Sequence, residues 1–314
     1  MAMRPASNVA VRTRGLTKRY RSVTALDSLD LDMCTGEVLG FLGPNGAGKT
    51  TTIRLLLGLI RPTAGTAEIF GLDAQADKIA AHARVAYVPG EATLWPSLTG
   101  AETLDLLARL QGQTDLAYRS ELVRRFDLNT SIRIRAYSKG NRQKVNLIAA
   151  LASRADLLVL DEPTAGLDPV MEQAFRVSIR EAAGRGQTVF LSSHVLSEVE
   201  ALCDRVAILR HGRLVEIGTL AELRHLSALT VEATFSGQPP DVTGIPGVSA
   251  VTVAGRQLTC QVRGPIADLL AALAAARPDS LLSREPTLEE LFLTIYGDPQ
   301  DASATNCDGR PDDD

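Results

Sequence analysis

Residues 43–50 read Gly-Pro-Asn-Gly-Ala-Gly-Lys-Thr, with three glycines, a lysine and a hydroxyl within one short segment. Glycine has no Cβ, so such a turn can adopt backbone conformations closed to other residues and converge its N–H groups on an anion. The segment fits the phosphate-binding loop pattern G-x-x-x-x-G-K-[ST], in which the lysine reaches the β- and γ-phosphates and the last hydroxyl holds Mg²⁺. The expected nucleotide-binding residues are therefore Gly43, Pro44, Asn45, Gly46, Ala47, Gly48, Lys49, Thr50 and Thr51. This loop needs a strand before it and a helix after it. Val38–Leu42 is an apolar run suited to a buried strand, and Ile53, Leu56, Leu57 and Ile60 recur along one helix face. The helix would aim its positive end at the phosphates.

A second segment gives the loop its counterpart. Leu157-Leu158-Val159-Leu160 is an apolar strand that ends in Asp161-Glu162. Many buried strands end in an acid, so the pair gains meaning only from the loop that precedes it in the chain. Asp161 is placed to complete a Mg²⁺ shell through water. Glu162 then points to where water must attack the γ-phosphate, and is the candidate general base, a role worth about 10²–10⁴-fold in rate.

The rest of the chain supplies the frame. Arg84–Val88, Thr188–Leu191, Val206–Leu209 and, after His211-Gly212, Leu214–Ile217 read as strands. Thr99 to about Leu128 is helical in pattern, opened by Thr99 and Glu102 at capping-box spacing, and Met171–Ala183 reads as a helix closed by Gly184. Strands alternating with helices predict an α/β domain with a largely parallel sheet. Past Leu220 the pattern changes. Leu229, Val231, Ala233 and Phe235 alternate, as do Leu258, Cys260 and Val262, with Val251 and Val253 between them, which predicts a separate small sheet. Ile266–Ala276 and Leu288–Tyr296 read as helices. From Gly297 to the terminal Asp312-Asp313-Asp314 the chain is polar and predicted disordered.

Composition narrows the functional classes. A net charge of −4 offers no surface field for nucleic acid. Four scattered cysteines without a C-x-x-C pair fit a reduced cytosolic protein. No apolar run approaches the roughly 20 residues of a membrane span, and residues 1–15 lack a signal-peptide core. A membrane role would require another chain to supply the span.

Read together with four further segments, these motifs closely resemble the ATP-binding-cassette (ABC) family over residues 9–220. Tyr137-Ser138-Lys139-Gly140-Asn141-Arg142-Gln143-Lys144 resembles the family signature, and Ala165-Gly166-Leu167-Asp168 the D-loop. His194 sits at the switch histidine, and Tyr20 at the aromatic that stacks on adenine. The resemblance implies an α/β fold: a P-loop NTPase ABC cassette over residues 1–220, with a RecA-like core and a helical signature subdomain at about 92–150. A small α+β domain, 221–296, would follow, and then the tail, 297–314. It further implies an ATP hydrolase that uses ATP and Mg²⁺, with Glu162, His194 and Lys49 catalytic and Thr50 and Asp161 holding the metal. Tyr20, Ser138, Lys139, Gly140 and Asp168 would join the loop in binding nucleotide. Two subunits would pair head to tail, so that Ser138 and Gly140 of one meet the γ-phosphate bound by the other. A separate permease would hold the dimer at the cytoplasmic face of the cell membrane.

Two motifs depart from the family pattern. Lys139 and Asn141 stand in a signature that is most often Leu-Ser-Gly-Gly-Gln, and Lys139 adds positive charge near the partner's phosphates. Gly90, in Ala86-Tyr87-Val88-Pro89-Gly90-Glu91, occupies the position of the Q-loop glutamine. Glu91 is the candidate stand-in, but its carboxylate would face an anionic phosphate unless a metal intervenes. Arg61-Pro62-Thr63-Ala64-Gly65, the Tyr-Ser-Lys-Gly signature and Glu285-Pro286-Thr287-Leu288-Glu289-Glu290-Leu291-Phe292 resemble the drug- and antibiotic-resistance exporters. The competing readings are an importer ATPase subunit and a non-transport ABC ATPase of translation or DNA repair. The latter group usually shows tandem cassettes, zinc-binding cysteines or coiled coils, none of which occurs here.

Overall fold

The computed structural model describes residues 8–91, 93–225, 229–284 and 289–290. The tail from Gly297, and all of the expected helix Leu288–Tyr296 except Glu289 and Glu290, lie outside the described residues. The chain divides into two compact units, Met1–Leu220 and Ala221–Asp314.

The first unit is built on a six-stranded sheet. Its spatial order is Arg213–Thr219, Arg205–Arg210, Val38–Leu42, Thr188–Ser193, Leu157–Asp161 and Val85–Val88. The last five run parallel, and Arg213–Thr219 is an antiparallel edge reached through a two-residue turn. His211 and Gly212 both have positive φ, 47° and 77°, as a tight hairpin turn that matches the strand twist requires. Val38–Leu42, Leu157–Asp161 and Thr188–Ser193 are buried along their whole length, which explains the apolar runs Val38–Leu42, Leu157–Leu160 and Val189–Leu191 at their centres. These three strands are neighbours, and Leu42 pairs with Ser193 as Asp161 pairs with Ser192. Gly43, Glu162 and His194 therefore leave the same edge of the sheet, where open parallel sheets place their ligands.

A second sheet was not foreseen from the sequence. Val23–Cys34, Val9–Tyr20, Ala64–Ile69 and Leu72–Asp73 form an antiparallel sheet in that spatial order. It shares one core with the parallel sheet and the helix after the loop: Val11, Leu16, Leu29 and Leu31 pack in the same cluster as Phe41, Ile53, Leu56 and Phe190. Each such side chain contributes roughly 1.5–3 kcal/mol by leaving water. The Phe41 and Phe190 rings are 5.1 Å apart.

Several element boundaries differ from the expectation. The helix after the loop spans Lys49–Leu56, and Gly58 turns away with φ 60°, so Ile60 packs on the core from beyond the helix. The stretch from Thr99 forms two helices, Gly100–Gln111 and Leu116–Arg125. Gly112, at φ 80°, ends the first, and Asp115 caps the second by accepting from Tyr118 N–H. The capping box of Thr99 and Glu102 is formed. The third expected helix spans Pro169–Gly184; it is Gly186, with φ 84°, that adopts the left-handed turn after it, whereas Gly184 stays helical. With two glycines in Gly184-Arg185-Gly186, composition alone did not fix which one ends the helix. Arg125 reaches Glu181 on this helix with two hydrogen bonds, 2.8 and 2.9 Å.

The second unit has an antiparallel sheet in the order Val248–Ala254, Gln257–Val262, Leu229–Thr234 and Ser280–Arg284, with the helix Ala267–Ala275. Val231, Ala233, Phe235, Leu258, Cys260, Leu269 and Leu273 form its core. Of the alternating residues read from the sequence, Val231, Ala233, Phe235, Leu258, Cys260 and Val262 face inward, with Leu229 and Val251 partly buried against them, whereas Val253 is exposed because its strand, Val248–Ala254, lies at the edge of the sheet.

Candidate nucleotide site

The loop Gly43–Thr50 opens the helix Lys49–Leu56 at Gly48, whose φ is 109° and which supplies no side-chain cap. A Cβ on Gly48 would fall 2.6 Å from Ala25 O, so glycine is required by conformation and by space. Gly48 offers the N–H groups of the first helical turn no capping side chain, the arrangement that receives an anion.

Lys49 is buried, and its Nζ donates to Gly43 O at 2.6 Å and Pro44 O at 3.2 Å. It lies 3.6 Å from Glu162 Oε1. Burial lowers the Lys49 pKa, while the Glu162 carboxylate works against that shift. Thr50 Oγ1 donates to Asp161 Oδ2 at 2.9 Å. Asp161 is 4% exposed. Burial pushes its carboxyl up from the ordinary range, and the Thr50 and Ser192 hydroxyls pull it back. Its other oxygen, Oδ1, is buried without a well-formed hydrogen bond.

Glu162 has φ 47°, in the left-handed region. For a residue other than glycine this costs on the order of 1–3 kcal/mol, a strain that clusters at functional sites. The conformation is held by Glu162 N–H, which donates to Ser192 O at 2.9 Å. It turns the carboxylate toward the loop: Oε1 lies 3.3 Å from His194 Nδ1 as well as 3.6 Å from Lys49 Nζ. Lys49, Thr50, Asp161, Glu162 and His194 thus come together from the ends of three adjacent strands.

The remaining expected residues lie apart from this cluster in bonding. Ser138 caps the helix Lys139–Ala152, its hydroxyl accepting from Asn141 N–H at 3.2 Å. Gly140 packs against the D-loop so tightly that a Cβ there would collide with Gly166 O. Asp168 caps the helix Pro169–Gly184 by accepting from Val170 and Met171 N–H, both at 3.0 Å. Tyr20 ends its strand 44% exposed, with Lys18 Nζ 4.9 Å from the ring centroid. Among the described residues, no hydrogen bond or ion pair links Tyr20, Ser138, Lys139, Gly140 or Asp168 to residues 43–51.

Gly90 does sit beside the acidic pair. A Cβ on it would be 3.2 Å from Asp161 O and 3.8 Å from Glu162 Cβ. Pro89 O accepts from Gln143 Nε2 at 3.2 Å, so this loop is tied to the helix that Ser138 caps. Glu91 is exposed. Sequence reasoning did not single out Ser192, Ser193 or Glu198, because a serine or an acid in an apolar-patterned stretch gives no signal of its own.

A family model described as ABC transporter matches residues 26–165. The Daunorubicin resistance ATP-binding protein DrrA3 of Streptomyces coeruleorubidus is 36% identical over 310 residues, covering 93% of this chain and 97% of that protein. The Nod factor export ATP-binding protein I of Ralstonia nicotianae is 32% identical over 305 residues, covering 93% and 95%. A solved ATP-binding subunit of an ABC transporter aligns with a TM-score of 0.65 at 32% identity, covering 69% of this chain and 92% of that one. The chain belongs to the ABC transporter ATP-binding family.

Proposed function

We propose that this chain hydrolyses ATP at a site shared by two copies arranged head to tail, and so drives a separate membrane permease that expels drugs or other apolar compounds. The observation that supports this most is the single point on which Glu162 Oε1, His194 Nδ1 and Lys49 Nζ converge. Gly43–Thr51 bind the triphosphate, with Lys49 on its outer phosphates and Tyr20 stacked on the base. The buried, incompletely bonded Asp161 and its partner Thr50 fit a divalent cation. Among the described residues, no cluster of three or more His, Cys, Asp or Glu is placed to hold a metal, so the cation would share its shell with phosphate. When bound, Mg²⁺ would offset charge on the β- and γ-phosphates.

In the reaction, the water oxygen bonds to the γ-phosphorus as the bond to the β–γ bridging oxygen breaks. Glu162 takes the water proton, and His194 orients the water and the γ-phosphate. Ser138, Lys139 and Gly140 of the second copy close over the γ-phosphate, with Asp168 lining the same junction. ATP then favours the paired state because it gains contacts only there. Residues 92–150 act as the helical signature subdomain and 221–296 as an accessory domain of the dimer or the permease contact.

Two near full-length relatives named for drug resistance and for export support efflux over import. No helix among the described residues is long and apolar enough to cross a membrane, which fits a span supplied by a permease at whose cytoplasmic face the dimer sits. The test is ATP-driven transport of candidate drugs in vesicles containing the chain and its neighbouring permease. Export that needs ATP and is lost in Glu162→Gln supports the reading; flux that is indifferent to this chain contradicts it.

A further inference from the structure

The helix Leu196–Leu202 follows His194 and carries an acid that the mechanism above does not use. Glu198 is only 2% exposed, yet its Oε1 has no hydrogen bond of sound geometry. Its Oε2 accepts from Ser193 Oγ at 2.7 Å. Ser193, 1% exposed, in turn accepts from Val195 N–H at 3.0 Å. The residues on both sides of His194 are therefore fastened through one carboxylate, while the exposed imidazole between them lies 3.3 Å from Glu162 Oε1. The Thr164 hydroxyl, two residues past Glu162, also pulls on this carboxylate, against the burial that pushes it up. Glu172 and Arg176, on the helix Pro169–Gly184, face it with opposing charges.

An isolated buried acid is costly unless its hydrogen bonds return something. A plain core position here would be filled by an aliphatic side chain, as Val199 and Leu202 are on the same helix. We propose that Glu198 is a positioning residue: it braces the Ser193–Val195 turn that carries His194, and so sets the distance between His194 and Glu162. This inference rests on the reading of His194 and Glu162 as the hydrolytic pair. Side chains that act through such support lose rate steeply when placement slackens, since a misplacement of about 1 Å can cost on the order of 10²-fold.

The test is steady-state hydrolysis by the full chain. Glu198→Ala is expected to lower kcat about tenfold or more, with the KM for ATP changed less than about twofold because the phosphate loop is untouched. Glu198→Gln keeps an acceptor for Ser193, and should recover most of the rate. Ser193→Ala removes the same brace without emptying the site; it stands in should Glu198→Ala fail to fold. The double variant should be no slower than the worse single one, because both changes break one connection. Val199→Ala is the control for loosened packing on this helix and should lower thermal stability while leaving kcat near wild type. Wild-type kcat in Ser193→Ala, equal losses in Val199→Ala and Glu198→Ala, or multiplying losses in the double variant would each overturn the proposal. The Glu162→Gln variant separates the two readings: if it hydrolyses normally the hydrolytic pair itself is wrong, and if it is inactive while Ser193→Ala is normal, only the brace is wrong.

Discussion

Two helix starts in the chain carry candidate site residues, and they are finished differently. The helix Lys49–Leu56 begins at a left-handed glycine with no side-chain cap, and around that open end stand Lys49, Asp161, Glu162 and His194. The helix Lys139–Ala152 begins at Ser138, whose hydroxyl already caps Asn141 N–H. One end is an uncapped glycine start with Lys49, Glu162 and His194 beside it; the other is capped by Ser138 and carries Lys139 and Arg142 in its first turn. The difference teaches that an uncapped glycine start leaves its N–H groups open beside the cluster of Lys49, Glu162 and His194, whereas the Ser138 hydroxyl is already engaged with its own helix.

Removing the base should have the largest effect on this contrast. Glu162→Gln is expected to slow phosphate release by about 10²–10⁴-fold while ATP binding persists, so that a dimer accumulates on a sizing column when ATP is present. Rapid turnover in that variant would take Glu162 out of its role. Lys49→Ala comes next. Loss of charge-assisted contacts worth about 1.5–3 kcal/mol should weaken ATP binding roughly 10- to 100-fold, read by titration of the chain at concentrations where it stays monomeric. Ser138→Ala under the same conditions should leave ATP affinity unchanged, lower turnover at high protein concentration, and cost about 1 kcal/mol of stability as a lost cap. An equal loss of monomer affinity in both variants would erase the contrast between the two helix starts. Thr99→Ala, which breaks the capping box with Glu102, should cost about 1 kcal/mol in thermal unfolding with turnover unaltered.

Much of the site was legible because its parts are short and local. A glycine turn, an apolar strand ending in two acids, and a histidine after another apolar strand each announce themselves, and parallel pairing then brings their ends to one edge. The antiparallel sheet of Val9–Tyr20 and Val23–Cys34 was missed for a physical reason. Its register shifts repeatedly, between Thr13 and Leu16 and again between Leu16 and Lys18, and Gly15 and Ser28 both have positive φ. Each irregularity breaks the two-residue period by which a half-buried strand is recognised. The helical stretch after Thr99 was seen as one element because Gly112 and Asp115 interrupt a pattern that continues on both sides. The bracing carboxylate of Glu198 was invisible for another reason, since a buried acid and a surface acid on a helix look alike until the neighbours are known. Gly90 lay between these cases: its departure from the family was plain in the sequence, and its closeness to Asp161 and Glu162 required the structure.

Intersubunit complementation tests the shared site most directly. A Lys49→Ala chain keeps its signature edge but loses its cradle, and a Ser138→Arg chain keeps the cradle but has a blocked edge. Neither alone should hydrolyse ATP at an appreciable rate. Mixed, each mixed pair regains one intact site of two, so random pairing should restore up to about a quarter of the wild-type rate. A mixture no more active than the sum of its parts, or a Ser138→Arg chain fully active by itself, would contradict a site made from two copies.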